Sequence, residues 1–220
     1  RDDSAMTSHT CDIHRTRSSF DIVPTKKYSK GEMVTMLKRI DCDSLAMPAY
    51  QYLAIGEIPQ VVSTYGFINT AYPCMNEKQL AIGESTFGGR ECLRSDNGLI
   101  DCQQLVRLMV ERCSTAREAI RMAGELTKKY GWIDEGECLT IADKNEVWAL
   151  EIVGPGMGNC GSIWVAQRVP DDHVSVNANG SRIRQIDLKK PDYFMASENV
   201  FKVAQDSGWW NPKEGPFEFA

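Results

Sequence analysis

Cys138-Leu139-Thr140-Ile141-Ala142-Asp143-Lys144-Asn145-Glu146-Val147-Trp148-Ala149-Leu150-Glu151-Ile152-Val153 reads as two strands closed by a short polar turn, with branched and aromatic residues on both sides of it. Immediately before it the pattern is helical. Thr115-Ala116-Arg117-Glu118 has capping-box form, because the Thr hydroxyl and the Glu three residues on satisfy orphan amides reciprocally, and Ala116, Ala119, Ile120, Ala123 and Tyr130 mark the buried side of a helix that ends at Gly131. An earlier helix is predicted from Asp101 to Cys113, with Leu105, Leu108, Met109 and Cys113 on one stripe.

Further out the strand pattern returns. Tyr65–Asn69 and Leu80–Thr86 are predicted strands joined by the turn-rich stretch Pro73–Lys78, and Ile163–Arg168 and His173–Ala178 are predicted beyond the central hairpin. A last helix, Ser197–Ser207, is closed by Gly208 and followed by Trp209-Trp210, which read as exposed, with no packing element after them. Ala5–His9 alternates like a short strand. Residues 16–63 are broken by Pro24, Pro48 and Pro59 and decorated with lysines, as in edge strands and long loops. Strands, two helices, then strands argue for an α+β layered domain with antiparallel sheets rather than alternating βαβ units.

The composition narrows the function classes. The chain of 220 residues is 42% apolar and 25% charged, enough for one domain with a real core, here taken as residues 1–220 with both ends reading as cut. Thirty acidic against 25 basic side chains give a net charge of −5 with no block of like charges, so the footprint for nucleic acid or an anionic membrane is missing. No apolar run approaches the roughly 18 residues of a transmembrane helix. Eight cysteines at irregular spacing define no disulfide framework and fit a reducing compartment slightly better; the compartment, cytoplasmic or exported, stays open. Cys11-Asp12-Ile13-His14 is the nearest approach to a metal half-site and lacks a second pair, so no metal is expected.

Several motifs have a bland alternative. Gly156-Met157-Gly158-Asn159-Cys160-Gly161 matches a dinucleotide fingerprint by letter, but that chemistry needs a helix next, and Ser162–Ala166 is a strand; a hairpin loop is the simpler reading. Asn179-Gly180-Ser181 is open to three readings: a turn, which its dipeptide favours, a sugar acceptor, or a polar side chain in a cleft. Arg182 and Arg184 suit bidentate binding of a carboxylate, though an Arg at a strand end is usually a solvated rim residue. No Ser-His-Asp arrangement is identifiable, and Asp171-Asp172 sits in a turn.

Taken together, Met75-Asn76-Glu77-Lys78-Gln79-Leu80-Ala81-Ile82-Gly83-Glu84-Ser85-Thr86-Phe87-Gly88-Gly89-Arg90 resembles the central signature of the C69 family of cysteine dipeptidases, relatives of the secernins and, more distantly, of bile-salt hydrolases and penicillin acylases. Ile58–Val61, Gly136–Asp143, Trp164–Pro170 and Asn177–Asn179 extend the similarity in collinear order. The resemblance implies the N-terminal nucleophile (Ntn) hydrolase fold, a four-layer αββα sandwich, and amide hydrolysis by an N-terminal Cys whose own α-amino group is the base. It implies a dipeptide substrate and no cofactor, and leaves a homo-oligomer open. Asp2-Asp3-Ser4 resembles a stretch that follows the nucleophile in the family, which places the nucleophile outside this chain; Cys11, internal, has no free amine. By the same resemblance Asp12 contacts the nucleophile's amine, Thr86 and Asn179 serve the oxyanion, His9 falls where many relatives have an Arg, and Arg182 is a candidate for the substrate carboxylate. Two other functions share the pattern: a non-catalytic secernin-like binding protein, and an acylase for a non-peptide amide.

Overall fold

The structure is a computed structural model that describes residues 4–11, 19–41 and 50–220, with only the backbone of Asp41 and Tyr50. Its strands in chain order are β1 (Asp21–Val23), β2 (Lys26–Lys27), β3 (Met33–Asp41), β4 (Tyr50–Pro59), β5 (Ser63–Thr64), β6 (Phe67–Asn69), β7 (Pro73–Asn76), β8 (Ala81–Gly88), β9 (Gly136–Ala142), β10 (Val147–Val153), β11 (Ile163–Val169) and β12 (Phe194–Ala196). The α-helices are α1 (Cys102–Arg112), α2 (Ala116–Tyr130) and α3 (Val200–Asp206). Eight strands form one antiparallel sheet in the order β1-β6-β7-β8-β9-β10-β11-β12, while β3–β4 is a long separate hairpin and β2–β5 a short pair. The class is α+β.

Local chemistry fixes the helices. Asp101 caps α1 by accepting from the Gln104 amide at 2.8 Å, and the Thr115–Glu118 capping box opens α2. Both helices lie on one face of the large sheet, where Ile82, Leu139, Ile141, Trp148, Leu150 and Ile152 meet Leu105, Leu108, Met109, Ala119 and Ile120 in a dry core. Cys102 and Cys113 are buried there as small apolar groups. The alternate residues Val153, Ile163 and Val165 point to the opposite face and pack under α3 and the C-terminal tail. Gly124 of α2 is a close approach: a Cβ there would lie 2.6 Å from the Trp164 indole. No helix among the described residues is long and apolar enough to cross a membrane.

The structure corrects several sequence expectations. Pro73–Asn76 is not the turn of a hairpin but the strand β7, because the reversals on either side are tighter than expected. Thr70 closes one through its N–H and hydroxyl to the Tyr72 carbonyl, and the Asn76 side chain closes the other by accepting from the Lys78 and Leu80 amides. His173–Ala178 is extended but joins no sheet; β12 already occupies the outer edge of β11, which leaves Val174 and Val176 exposed. Residues 4–11 are likewise unladdered. The stretch read as edge strands and long loops holds the nine-residue β3 paired with the ten-residue β4, each an edge of a two-stranded sheet. The tail after α3 does pack: Phe217 is buried against the rings of Phe201 and Trp210, and the Phe219 and Ala220 amides bond to the carbonyls of Arg184 and Ile183. Trp209 alone of the Trp pair stays well exposed, beneath the Arg90 guanidinium. The glycine-rich loop joins β10 to β11, as the hairpin reading required.

Candidate active site

The part of the sheet that α3 does not cover forms the floor of a cleft of about 1160 Å³, walled by residues 4–11 and 169–179. Its floor is Gly83, Ser85, Thr140, Val147 and Ala149, successive cross-strand neighbours that share this face. Gly83 is required by the wall above it. A Cβ at that position would lie 2.8 Å from the Cβ of His9, so only glycine lets the N-terminal segment settle on β8. β7 pairs with β8 only at Met75↔Ala81, so beyond that point the outer side of β8 carries no strand among the described residues, and the cleft reaches through to Glu84 and Thr86 on the helix-facing side.

Asn179 sits at the far end of the floor in a left-handed conformation, φ 54°, which Asn adopts more readily than most residues. Its N–H donates to Ser85 Oγ at 2.9 Å and its Nδ2 to the Thr86 carbonyl at 2.9 Å. One Nδ2 hydrogen remains for another acceptor. The Thr86 hydroxyl is engaged: it donates to Glu137 Oε1 at 2.7 Å. Having one hydrogen, that hydroxyl has none left for an oxyanion while the bond holds, which leaves the Thr86 backbone N–H as the group to consider.

Behind Thr86 lies a set of acids that the sequence reading did not single out. Glu137 is 3% exposed, and burial pushes its carboxyl well above the ordinary range, reinforced by Asp134 and Glu84. Glu84 is raised by burial and drawn back first by His9. Both carboxyls are therefore pushed toward the protonated form, the deeper Glu137 more strongly, and Glu84 lines the cleft. Glu137 Oε2 has no hydrogen-bond partner among the described residues. Burial raises Asp101 to about 6 and lifts the Cys102 thiol and Tyr72 phenol far above their ordinary values. Glu84, Cys102 and Glu137 bring one ligand atom each within 4.8 Å of one another.

The predicted site residues are thus partly gathered. Thr86, Asn179 and His9 all line the cleft, with His9 Nε2 4.0 Å from Glu84 Oε1. Arg182 does not line it; it is exposed, and its N–H is tied to Glu151 Oε1 beyond Ser181. Asp12 lies outside the described residues. Arg39, brought in by β3, is a cleft residue that sequence reasoning missed. Glu84 and Glu137 did leave a signal: on strands of period two, they fall on the same inward face as Ile82, Leu139 and Ile141.

The family model for peptidase family C69 matches residues 2–220. The chain belongs to peptidase family C69. Among curated proteins, it is 34% identical over 151 residues to a probable dipeptidase of Latilactobacillus sakei, covering 66% of this chain and 30% of that protein. It is 34% identical over 117 residues to a probable dipeptidase B of Lactococcus lactis subsp. lactis, covering 53% and 23%. A probable dipeptidase of Salmonella dublin is 27% identical over 141 residues, 62% of this chain and 31% of its own length. These matches span less than a third of the length of each relative.

Proposed function

We propose that this C69 chain forms the substrate cleft of a dipeptidase that cleaves the peptide bond of dipeptides through an N-terminal Cys, the nucleophile lying upstream of Arg1 in the same polypeptide. The observation that carries the reading is the convergence at one end of the cleft of Asn179, Ser85 and Thr86, tied together by two hydrogen bonds, with the N-terminal segment running along the wall beside them. The large sheet carries α1 and α2 on one face and α3, the tail and the N-terminal segment on the other, and the αββα sandwich is part of the proposal.

In this scheme the thiolate attacks the peptide carbonyl, and the carbonyl oxygen becomes an oxyanion. The remaining Nδ2 hydrogen of Asn179 and the Thr86 N–H are the donors at hand for it. The tetrahedral intermediate collapses to a thioester, the amine leaves with a proton delivered from the N-terminal ammonium, and water hydrolyses the thioester. Asp12 is assigned to the nucleophile's amine and His9 to substrate binding, and Arg39 supplies positive charge to the cleft wall.

The test is made on the natural full-length gene product. Its mature N-terminus is sequenced, its hydrolysis of Ala-Ala followed, and the N-terminal Cys replaced by Ser. A mature N-terminal Cys, hydrolysis of Ala-Ala and loss of at least a thousandfold in the variant are expected. A mature protein without that Cys that cleaves no dipeptide would overturn the reading in favour of a binding protein, and comparable activity from residues 1–220 alone would overturn the N-terminal Cys mechanism.

A further inference from the structure

A dipeptide differs from an internal peptide segment in carrying an ammonium one residue away from the bond that is cut. The N–Cα and Cα–C bonds place that nitrogen about 2.5 Å from the scissile carbonyl carbon. A group that recognises it by a direct hydrogen bond of about 3 Å must therefore lie within roughly 5–6 Å of the reacting carbon. It must also be anionic and reach a half-buried surface, because an ammonium taken from water without a partner is strongly disfavoured.

Three acids line the cleft among the described residues: Glu84, Glu146 and Asp171. Glu146 is held by Arg117 at 2.7 Å and Arg168 at 3.0 Å, and Asp171 by Arg168 at 2.6 Å. Both also lie at the wrong end. Val147, next to Glu146, pairs with Ala142, which pairs with Ala81, five residues before Thr86 and hence about 17 Å along the strand. Glu84 is two residues from Thr86 on the same side of β8, joined to it through Glu137. Its side chain is 13% exposed, and its charge neighbours are the His9 imidazole, at the loose distance of 4.0 Å, and Arg39.

We propose that Glu84 is the subsite for the α-ammonium of the dipeptide, with the buried Glu137 behind it. The Thr86 hydroxyl anchors Glu137 at 2.7 Å, and a Glu84 carboxylate oxygen lies within 4.8 Å of one of Glu137, so the ammonium subsite adjoins the oxyanion donors. The consequence is selection for substrates with a free amino terminus. The inference rests on the dipeptidase reading, and the two fail differently.

The experiment compares Ala-Ala with N-acetyl-Ala-Ala as substrates of the full-length protein, in the wild type and in Glu84→Gln and Glu84→Asp variants whose melting temperatures are recorded. The wild type is expected to prefer the unblocked dipeptide by tenfold or more in kcat/KM. Glu84→Gln is expected to raise KM for Ala-Ala tenfold or more, with a smaller change in kcat, and to abolish the preference; Glu84→Asp is expected to restore part of it. A wild type that cuts both substrates equally well overturns the ammonium subsite while leaving the dipeptidase reading intact, and needs no variant to fold. An unchanged KM in a folded Glu84→Gln protein does the same. Failure to cut any unblocked dipeptide brings down both.

Discussion

Glu137 makes its burial measurable through pH. In the folded chain it keeps its proton well above the carboxylate range, whereas in the unfolded chain it releases it near pH 4.3. Between those limits the unfolded state binds one proton fewer, so stability is full below the unfolded value and falls as pH rises, by at most about 1.4 kcal/mol per pH unit. The groups facing it are Thr86 and Glu84 on β8, Asp134 before β9, and Cys102 on α1. Glu137→Gln has no proton to lose there. Urea midpoints at pH 5, 7 and 8.5 should show the variant gaining on the wild type at each step upward, and parallel curves would refute the assignment of the proton to this residue.

At the scale of elements, Gly124 sets two effects against each other. Replacing a helix-interior glycine by alanine gains about 1 kcal/mol of helix propensity, but the new Cβ would stand 2.6 Å from the Trp164 indole, and overpacking of that kind costs about 1–3 kcal/mol. Gly124→Ala is therefore expected to lower stability, read as a reduced denaturant midpoint, and an increase would mean that Trp164 swings away freely. The helices were legible because their chemistry is local: a capping box and a 3.6-residue stripe need no distant partner. β7 and the β3–β4 hairpin were not, because prolines masked them and their pairing is decided by neighbours. His173–Ala178 shows the reverse error, since its alternation is that of a strand while the edge it would join is filled by β12. Thr86, Asn179 and His9 came through family resemblance rather than spacing, and Arg39 is visible only once β3 is folded beside the cleft.

At the scale of the whole molecule, the two faces of the sheet are buried by different parts of the chain. One face is covered by α1 and α2, the other by α3 and the last ten residues, which are pinned by Phe217. Phe217→Ala should cost about 3 kcal/mol and free the tail. Limited proteolysis is expected to remove the segment after Gly208 in the variant well before the wild type, and equal resistance would show that the backbone bonds at Phe219 and Ala220 hold the tail without the ring.

The order of the strands has a kinetic side. β9, β10 and β11 follow one another through short connections and lie side by side, but β8 meets β9 only across residues 89–135, returning with Gly88 opposite Gly136. Closing so long a loop is slower and entropically dearer than closing a hairpin, so the β9–β11 meander is expected to be in place before β8 docks. Glu84, Ser85 and Thr86 all ride on β8. The chemistry of the cleft is therefore assembled late, on a surface already built, and pulse-labelled hydrogen exchange during refolding should find the amides of β8 protected after those of β10.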